Sequence, residues 1–413
     1  MKSKKTRTVP ECLCMAFILV FTLLFSGCAA EMPGESQVNG LTEKSTFEGG
    51  AAYRTADDIY WVLCLSGSWE EMGRQYGALV KDDLQAFYKE ITEDIAQRGI
   101  SQSEQLSTAK AFTATYPGEL IDLMKGMAET SGLSKDELTL LDVGMVNLSG
   151  ALLGEMPTSS CSGIAVWGDY TADGTLVFGR NWDIDRAGME KYMKYLAVVV
   201  FNPDSGNSFA SVHPLGNFYV ETGMNEKGLF LELNNGVQSD NESHTDRENT
   251  AAVMATALNQ CGTPEEAFEL FNSIPADLSY IIQAADANGC ISIERPTFGC
   301  RARAGSQDGL LVAYNSFISP YPDEWNGKIA EPPAYETDPR YENLVGTANS
   351  ADYSGKLGVA SMKTLMGLDV KHGGAVHNGT VVQVIAVPAD LTLWIRGYDY
   401  SDWQQVSLSG LFR

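Results

Sequence analysis

Histidine is scarce, with four residues, His213, His244, His372 and His377, in a chain of 413. Catalysis that takes a thiol or hydroxyl proton with an imidazole therefore has few candidates. None of the four has tight metal-ligand spacing. "HGGAVHNG", with His372 and His377 five apart, reads as a loop, so no metal or other cofactor is expected. Positive charge is also short, with 29 Lys and Arg against 53 Asp and Glu and a formal net charge of −24. Such a body repels nucleic acid and gains nothing from anionic lipid headgroups. Membrane-spanning apolar runs are missing too. The uncharged stretch from Cys12 to Phe25, behind Lys2, Lys4, Lys5 and Arg7, is too short to span a bilayer and reads as a secretory signal over residues 1–27. Repeats, coiled coils and low-complexity tracts are absent from the sequence.

What is present is an ordinary globular composition, 44% hydrophobic and 20% charged. Residues 28–54, with Pro33, Gly34 and "EGGAA", have the composition of a tether. From Trp69, the apolar residues Met72, Tyr76, Leu79, Val80, Leu84, Phe87, Tyr88 and Ile91 fall at helical spacing, which predicts one long amphipathic helix. Ser101 with Glu104, and Ser134 with Glu137, are spaced as capping boxes, so residues 55–160 read as mostly helical. After Cys161 the texture changes to short β-branched runs divided by turns, "SGIAVWGD", "GTLVFGRNWD", "YLAVVVFNPDSG", "SFASVH", "NFYVETGMNEKG" and "LFLELNNG". Helical stretches at 247–261, 263–274 and 338–367 interrupt further strands, which predicts an α+β layered body over 161–413.

Eight cysteines frame the chemistry. Leu24-Phe25-Ser26-Gly27-Cys28 resembles a bacterial lipoprotein cleavage box, with Phe25 where leucine is usual. That resemblance implies a lipid on Cys28 and attachment to the extracytoplasmic face of the cell membrane, each buried methylene contributing ~0.8 kcal/mol. Setting aside Cys12, Cys14 and Cys28 leaves Cys64, Cys161, Cys261, Cys290 and Cys300, an odd set in which one thiol stays free. Cys290 and Cys300 flank a strand-turn segment and are close enough in sequence to pair.

Cys161 stands where the helical half meets the strand half. Taken alone it reads as a buried structural thiol. Arg180 and Asp183 fall on the next strand, however, and a hairpin through "GDYTADG" returns both beside it. Here the chain resembles the cysteine N-terminal-nucleophile (Ntn) hydrolases: choloylglycine hydrolase, penicillin V acylase, acid ceramidase and especially the acyl-coenzyme A:6-aminopenicillanic acid acyltransferase-like group. The likeness rests on "CSGIAV…GTLVFGRNWD" at 161–183, "TGMNEKGLFLELNNG" at 222–236, "LLVAYNS" at 310–316 and "DPRYENL" at 338–344. "LSGSWEEMGRQYGALVK" resembles the propeptide of the acyltransferase-like group.

The resemblance implies a four-layer αββα sandwich of two antiparallel sheets behind a mostly helical propeptide. It implies autocatalytic cleavage between Ser160 and Cys161, with the two chains staying associated. It also accounts for the missing histidine, because the freed α-amine of Cys161, with an ordinary pKa of ~7.7 to 8.0, lies on the nucleophile's own residue. By the same resemblance Asp183 binds that amine, Arg180 holds the thiolate, Asn234 supplies the oxyanion donor with Asn235 as competitor, Asn315 positions the amide, and Arg340 matches the arginine of the "RY" block. The reaction implied is hydrolysis of a linear non-peptide amide in a small N-acyl compound. Three readings compete: acyl transfer, an unprocessed lipid-anchored binding protein, and a papain-type protease using His213 or His377.

Overall fold

The computed structural model describes residues 37–148, 161–184, 186–330 and 338–413. The signal, Cys28 and Ser160 lie outside the described residues, as does the whole of 149–160.

The first departure from expectation is at the amino-terminal side. Residues 37–54, read as tether, form three strands: β1 (Gln37–Val38), β2 (Leu41–Phe47) and β3 (Gly50–Arg54). Two tight turns make this folding feasible. Asn39-Gly40 and Glu48-Gly49 each hold two successive positive φ angles, 52° and 80° in the first and 46° and 87° in the second, the geometry of hairpins whose twist matches their strands. β3 continues into β4 (Trp61–Gly67), and the strands pair in order.

Helices follow: α1 (Trp69–Leu79), α2 (Lys81–Gln97), α3 (Gln102–Thr113), α4 (Gly118–Thr130), α5 (Lys135–Asp142) and α6 (Gly144–Leu148). The single long helix expected from Trp69 is broken at Val80, whose φ of −130° and ψ of 33° leave the helical region. The apolar stripe survives the break, with Met72, Tyr76, Leu84, Phe87 and Ile91 all buried. Both expected capping boxes form, at Ser101/Glu104 and Ser134/Glu137, and a third stands at Ser68/Glu71.

Past Cys161 run β5 (Ser162–Gly168), β6 (Gly174–Asp183), β7 (Leu196–Pro203), β8 (Phe209–Pro214), β9 (Thr222–Asn225) and β10 (Phe230–Asn235). Next come α7 (Thr250–Gln260), α8 (Pro264–Ser273), β11 (Tyr280–Ala285), β12 (Cys290–Arg295), β13 (Arg301–Ala304) and β14 (Leu310–Ala313). The chain ends through α9 (Pro339–Ala348), α10 (Val359–Leu365), β15 (Thr380–Val387), β16 (Thr392–Gly397) and β17 (Gln404–Ser407).

Among the described residues these strands form an eleven-stranded sheet, β1-β2-β3-β4-β7-β8-β9-β10-β11-β12-β13, and a six-stranded sheet, β14-β5-β6-β15-β16-β17. The larger sheet is not purely antiparallel. β4 lies parallel to β7, with Leu63 opposite Val199, so the segment before Cys161 is built into the sheet as well as into helices. Strand alternation sorts most apolar residues of the smaller sheet onto its two faces. Ala165 and Phe178 of the smaller sheet join the core shared with the larger one, where Phe178 meets Phe230 at 4.8 Å between ring centres, a contact contributing about 0.5–1.5 kcal/mol. Ile164, Val166, Val177 and Ile385 face the other way, onto Leu344, Met362 and Leu365 of α9 and α10. All five cysteines of the described body are free thiols, so Cys290 and Cys300 do not pair.

Candidate active site

Cys161 immediately precedes β5, at the edge of contact between the sheets. Ser162 pairs with Asn181, and Cys161 stands one residue beyond that last pair, at the Trp182 end of β6. The thiol is buried, 3% exposed. Its Sγ takes the Asp183 amide at 3.5 Å, faces the Asp183 carbonyl at 3.7 Å and lies 4.0 Å from Arg180 Nη2. Burial pushes the thiol up to about 12; Arg180 pulls it down, while Asp183 and Glu221 push it further up. In the intact chain this thiol is protonated, and it needs a base at hand to act.

Arg180 and Trp182 share one face of β6, the face turned toward the larger sheet. Arg180 is fully buried and crosses between the sheets. It donates to the Glu221 carbonyl, the Thr222 hydroxyl and the Leu233 carbonyl, the last at 2.9 Å. Its Nε stands 3.3 Å from Glu232 Oε2, a carboxylate with no exposure. Burial raises Glu232 to about 7, against the pull of Arg180. Gly163 makes this closeness feasible: a Cβ there would sit 2.0 Å from the Gln283 side chain and 2.8 Å from Glu232 Oε1.

Asp183 is the most exposed to unmet demand. Its carboxylate is fully buried, and neither oxygen accepts a hydrogen bond. The basic groups beside it are Arg340 Nη1 at 3.8 Å and His377 Nε2 at 3.2 Å, the latter a cation only when protonated. The Gly379 amide donates to His377 Nδ1 at 3.0 Å, and the ring's Nε2 approaches Asp183 without making a hydrogen bond to it. A buried carboxylate beside a cysteine, short of donors, suits a new ammonium.

Arg340 opens α9 and ties the site together. Asp338 caps the helix and holds the guanidinium by three contacts of 2.5–3.0 Å. The remaining fork donates to the Cys161 carbonyl and to Asn315 Oδ1, both at 3.2 Å. Asn315, so turned, donates to the Asn235 carbonyl at 2.8 Å. Asn234 is buried; its Nδ2 donates to Glu232 at 2.7 Å and its Oδ1 has no partner. Asn235 instead accepts the Val237 amide at 2.8 Å, the work of a turn residue. Direct contacts thus connect Cys161 with Arg180, Asp183 and Arg340, Arg340 with Asn315, and Arg180 through Glu232 with Asn234.

Sequence reading missed Glu232 and Asp338, and it weighed His377 only as the base of a papain-type protease, not as a neighbour of Asp183. Glu232 left a faint signal, a charge between two leucines in "FLELNN". The approach of His377 to Asp183 left none, because β15 pairing with β6 at Thr380 opposite Asp183 brings it in from far along the chain. Among the described residues no group of three or more His, Cys, Asp or Glu is placed to hold a metal, and no helix is long and apolar enough to cross a membrane.

Residues 170–351 match the model of the family described as acyl-coenzyme A:6-aminopenicillanic acid acyl-transferase. Over that span the chain is similar to that family. The span holds Arg180, Asp183, Asn234, Asn315 and Arg340 and begins after Cys161. An uncharacterized protein of Archaeoglobus fulgidus is 26% identical over 196 residues, 42% of this chain and 32% of the relative, so the match spans about a third of that relative's length. Among solved structures, the Caenorhabditis elegans ortholog of N-acylethanolamine-hydrolyzing acid amidase has a TM-score of 0.45 at 16% identity, covering 60% of this chain and 100% of that one. A variant conjugated bile acid hydrolase from Clostridium perfringens has 0.43 at 12%, covering 60% and 93%. Penicillin V acylase from Agrobacterium tumefaciens has 0.40 at 15%, covering 61% and 88%.

Proposed function

We propose that this chain is a self-processing cysteine amidase that hydrolyses a linear, non-peptide amide of a small N-acyl compound. The observation that carries the reading is the buried Asp183 carboxylate, without a hydrogen bond on either oxygen, whose own main chain flanks the Cys161 thiol. Cleavage before Cys161 creates an ammonium group on the adjoining residue, which supplies the missing donor. In its neutral form that amine takes the thiol proton, overcoming the burial that holds the thiol protonated.

The thiolate then attacks the substrate carbonyl carbon, and the carbonyl pair moves onto oxygen. Asn234 Nδ2, released from Glu232, donates to that oxyanion; Asn315, held by Arg340, lines the same approach. Collapse expels the amine, which takes the proton from the α-ammonium, and leaves an acyl thioester on Cys161. The α-amine next deprotonates water, which attacks the thioester and frees the acid and the thiol. Arg180 serves throughout as fixed positive charge beside Sγ. We extend the reading to a four-layer αββα arrangement with associated cleaved chains, and to a lipid anchor on Cys28 facing outward from the cell membrane.

Acyl transfer is the second reading, favoured by the description of the family model that 170–351 match. It replaces water with an amine at the last step. A papain-type mechanism is disfavoured because His377 addresses Asp183 and the thiol's nearest charged donor is Arg180. Incubating the processed protein with N-acyl amides in water alone, then measuring released amine and free acid, tests the main reading. Equal release of both is expected. Acyl product appearing only when an acceptor amine is added supports transfer instead.

A further inference from the structure

Beside the nucleophile lies a second group of polar side chains with unmet hydrogen-bonding capacity. His213 of β8 is 5% exposed, and neither ring nitrogen has a hydrogen-bond partner. Its ring lies against Trp182 at 5.3 Å and meets Tyr219 edge-on at 4.9 Å. Glu221 stands next to β9, its side chain 22% exposed, with Oε2 buried and unpartnered. The two approach at 3.8 Å between His213 Nε2 and Glu221 Oε2, too far for a hydrogen bond. Leaving such buried atoms unpaired is costly, and a ligand group that pairs with them would remove that cost.

The location ties them to the reaction. Trp182 follows Asn181, the partner of Ser162, which places it at the Cys161 end of β5, and its ring meets His213. The Glu221 carbonyl is held by Arg180, and the Glu221 charge helps to raise the thiol. Charge decides the ligand's sign. Arg180 is engaged by Glu232 and by the Glu221, Thr222 and Leu233 oxygens, so its guanidinium does not reach the Glu221 carboxylate. Among the described residues the one basic group within ion-pair distance of that carboxylate is His213. A cation meets the Glu221 carboxylate and the His213 imidazole, with the Trp182 and Tyr219 rings packed around that imidazole, whereas an anion would meet the like charge of the carboxylate.

We infer that Glu221, His213, Trp182 and Tyr219 form a recognition subsite for a primary ammonium group carried by the substrate. The inference rests on the amidase reading and narrows its substrate class to N-acyl compounds bearing a second, free amine, such as mono-acylated diamines. The ammonium donates to Glu221 Oε2 and to a ring nitrogen of His213, closing the gap between them.

The test uses processed wild type and the variants Glu221→Gln and His213→Phe. Each hydrolyses a matched pair of substrates: an N-acyl diamine, and the N-acyl alkylamine of equal length. Wild type is expected to favour the diamine amide by about tenfold or more in kcat/KM, mainly through KM. Glu221→Gln should bring that ratio near one by raising KM for the charged substrate. An unchanged ratio in Glu221→Gln, or no preference in wild type, overturns the subsite. Calorimetric titration with the free diamine gives a second readout independent of catalysis. Weaker binding by Glu221→Gln and by His213→Phe is expected even if neither amide is cleaved. In that outcome the amidase reading fails and the subsite stands; equal binding by all three proteins removes the subsite.

Discussion

The Asp183 amide donates to the Cys161 sulfur at 3.5 Å, while the carboxylate of the same residue accepts no hydrogen bond. One residue therefore addresses the nucleophile with its main chain and keeps its side chain for something else. In the reading developed above, that something is the α-ammonium of Cys161. Asp183→Asn keeps the shape and the main-chain contact but loses the charge. It is expected to lower kcat by 10²-fold or more in any fraction that matures, with the pH optimum shifted. Wild-type kcat and pH profile in Asp183→Asn would contradict this.

Arg180 and Glu232 form a fully buried pair. Arg180→Met leaves Glu232 without its cation and is expected to destabilise the fold by about 3–5 kcal/mol, read by urea unfolding at pH 8. Arg180→Met with Glu232→Gln should recover much of the loss. If the double variant is no more stable than the single one, the pair does not behave as an isolated ion pair.

Asp142 offers a pH signature away from the nucleophile. It accepts from the Phe218 amide at 2.7 Å and the Tyr116 hydroxyl at 2.9 Å, joining α5 to the segment before β9. Burial raises its carboxyl to about 7, so the folded state holds the proton more tightly than the unfolded chain does. Its stabilising effect is fully present below pH ~4 and is lost as pH rises through about 7. Glu232, also raised to about 7, acts in the same direction. Asp142→Asn should reduce the fall in unfolding free energy between pH 5 and pH 8. An unchanged slope would remove Asp142 as its source.

Asn234 and Asn235 separate by environment. Asn234→Ala is expected to cut kcat by 10²–10³-fold with folding retained. Asn235→Ala loses a turn bond to Val237 and should cost about 1 kcal/mol of stability with little change in kcat. The opposite pattern in paired kinetics and thermal melts would assign the oxyanion role to Asn235.

Legibility followed the range of the interactions. Capping boxes, helix stripes and β5–β6 depend on neighbours in sequence and were readable, as was the return of Arg180 and Asp183 toward Cys161. The strands at 41–54 were hidden because β2 is polar on its exposed face and Gly-rich at its turn, so composition outweighed the Asn39-Gly40 hairpin signal. The parallel β4–β7 contact and the approach of His377 to Asp183 join elements more than a hundred residues apart. Register across such distances is set by packing, which no local pattern encodes. Arg340 was readable only through resemblance; its hold on Cys161, Asn315 and Asp338 belongs to the tertiary fold.

The central claim is that Cys161 becomes a chain terminus. Intact mass and amino-terminal sequencing of purified wild type and Cys161→Ala address it directly. Two fragments are expected from wild type, one beginning at Cys161, and a single uncut chain from Cys161→Ala. A wild-type protein that hydrolyses N-acyl amides while remaining one uncut chain would contradict the account.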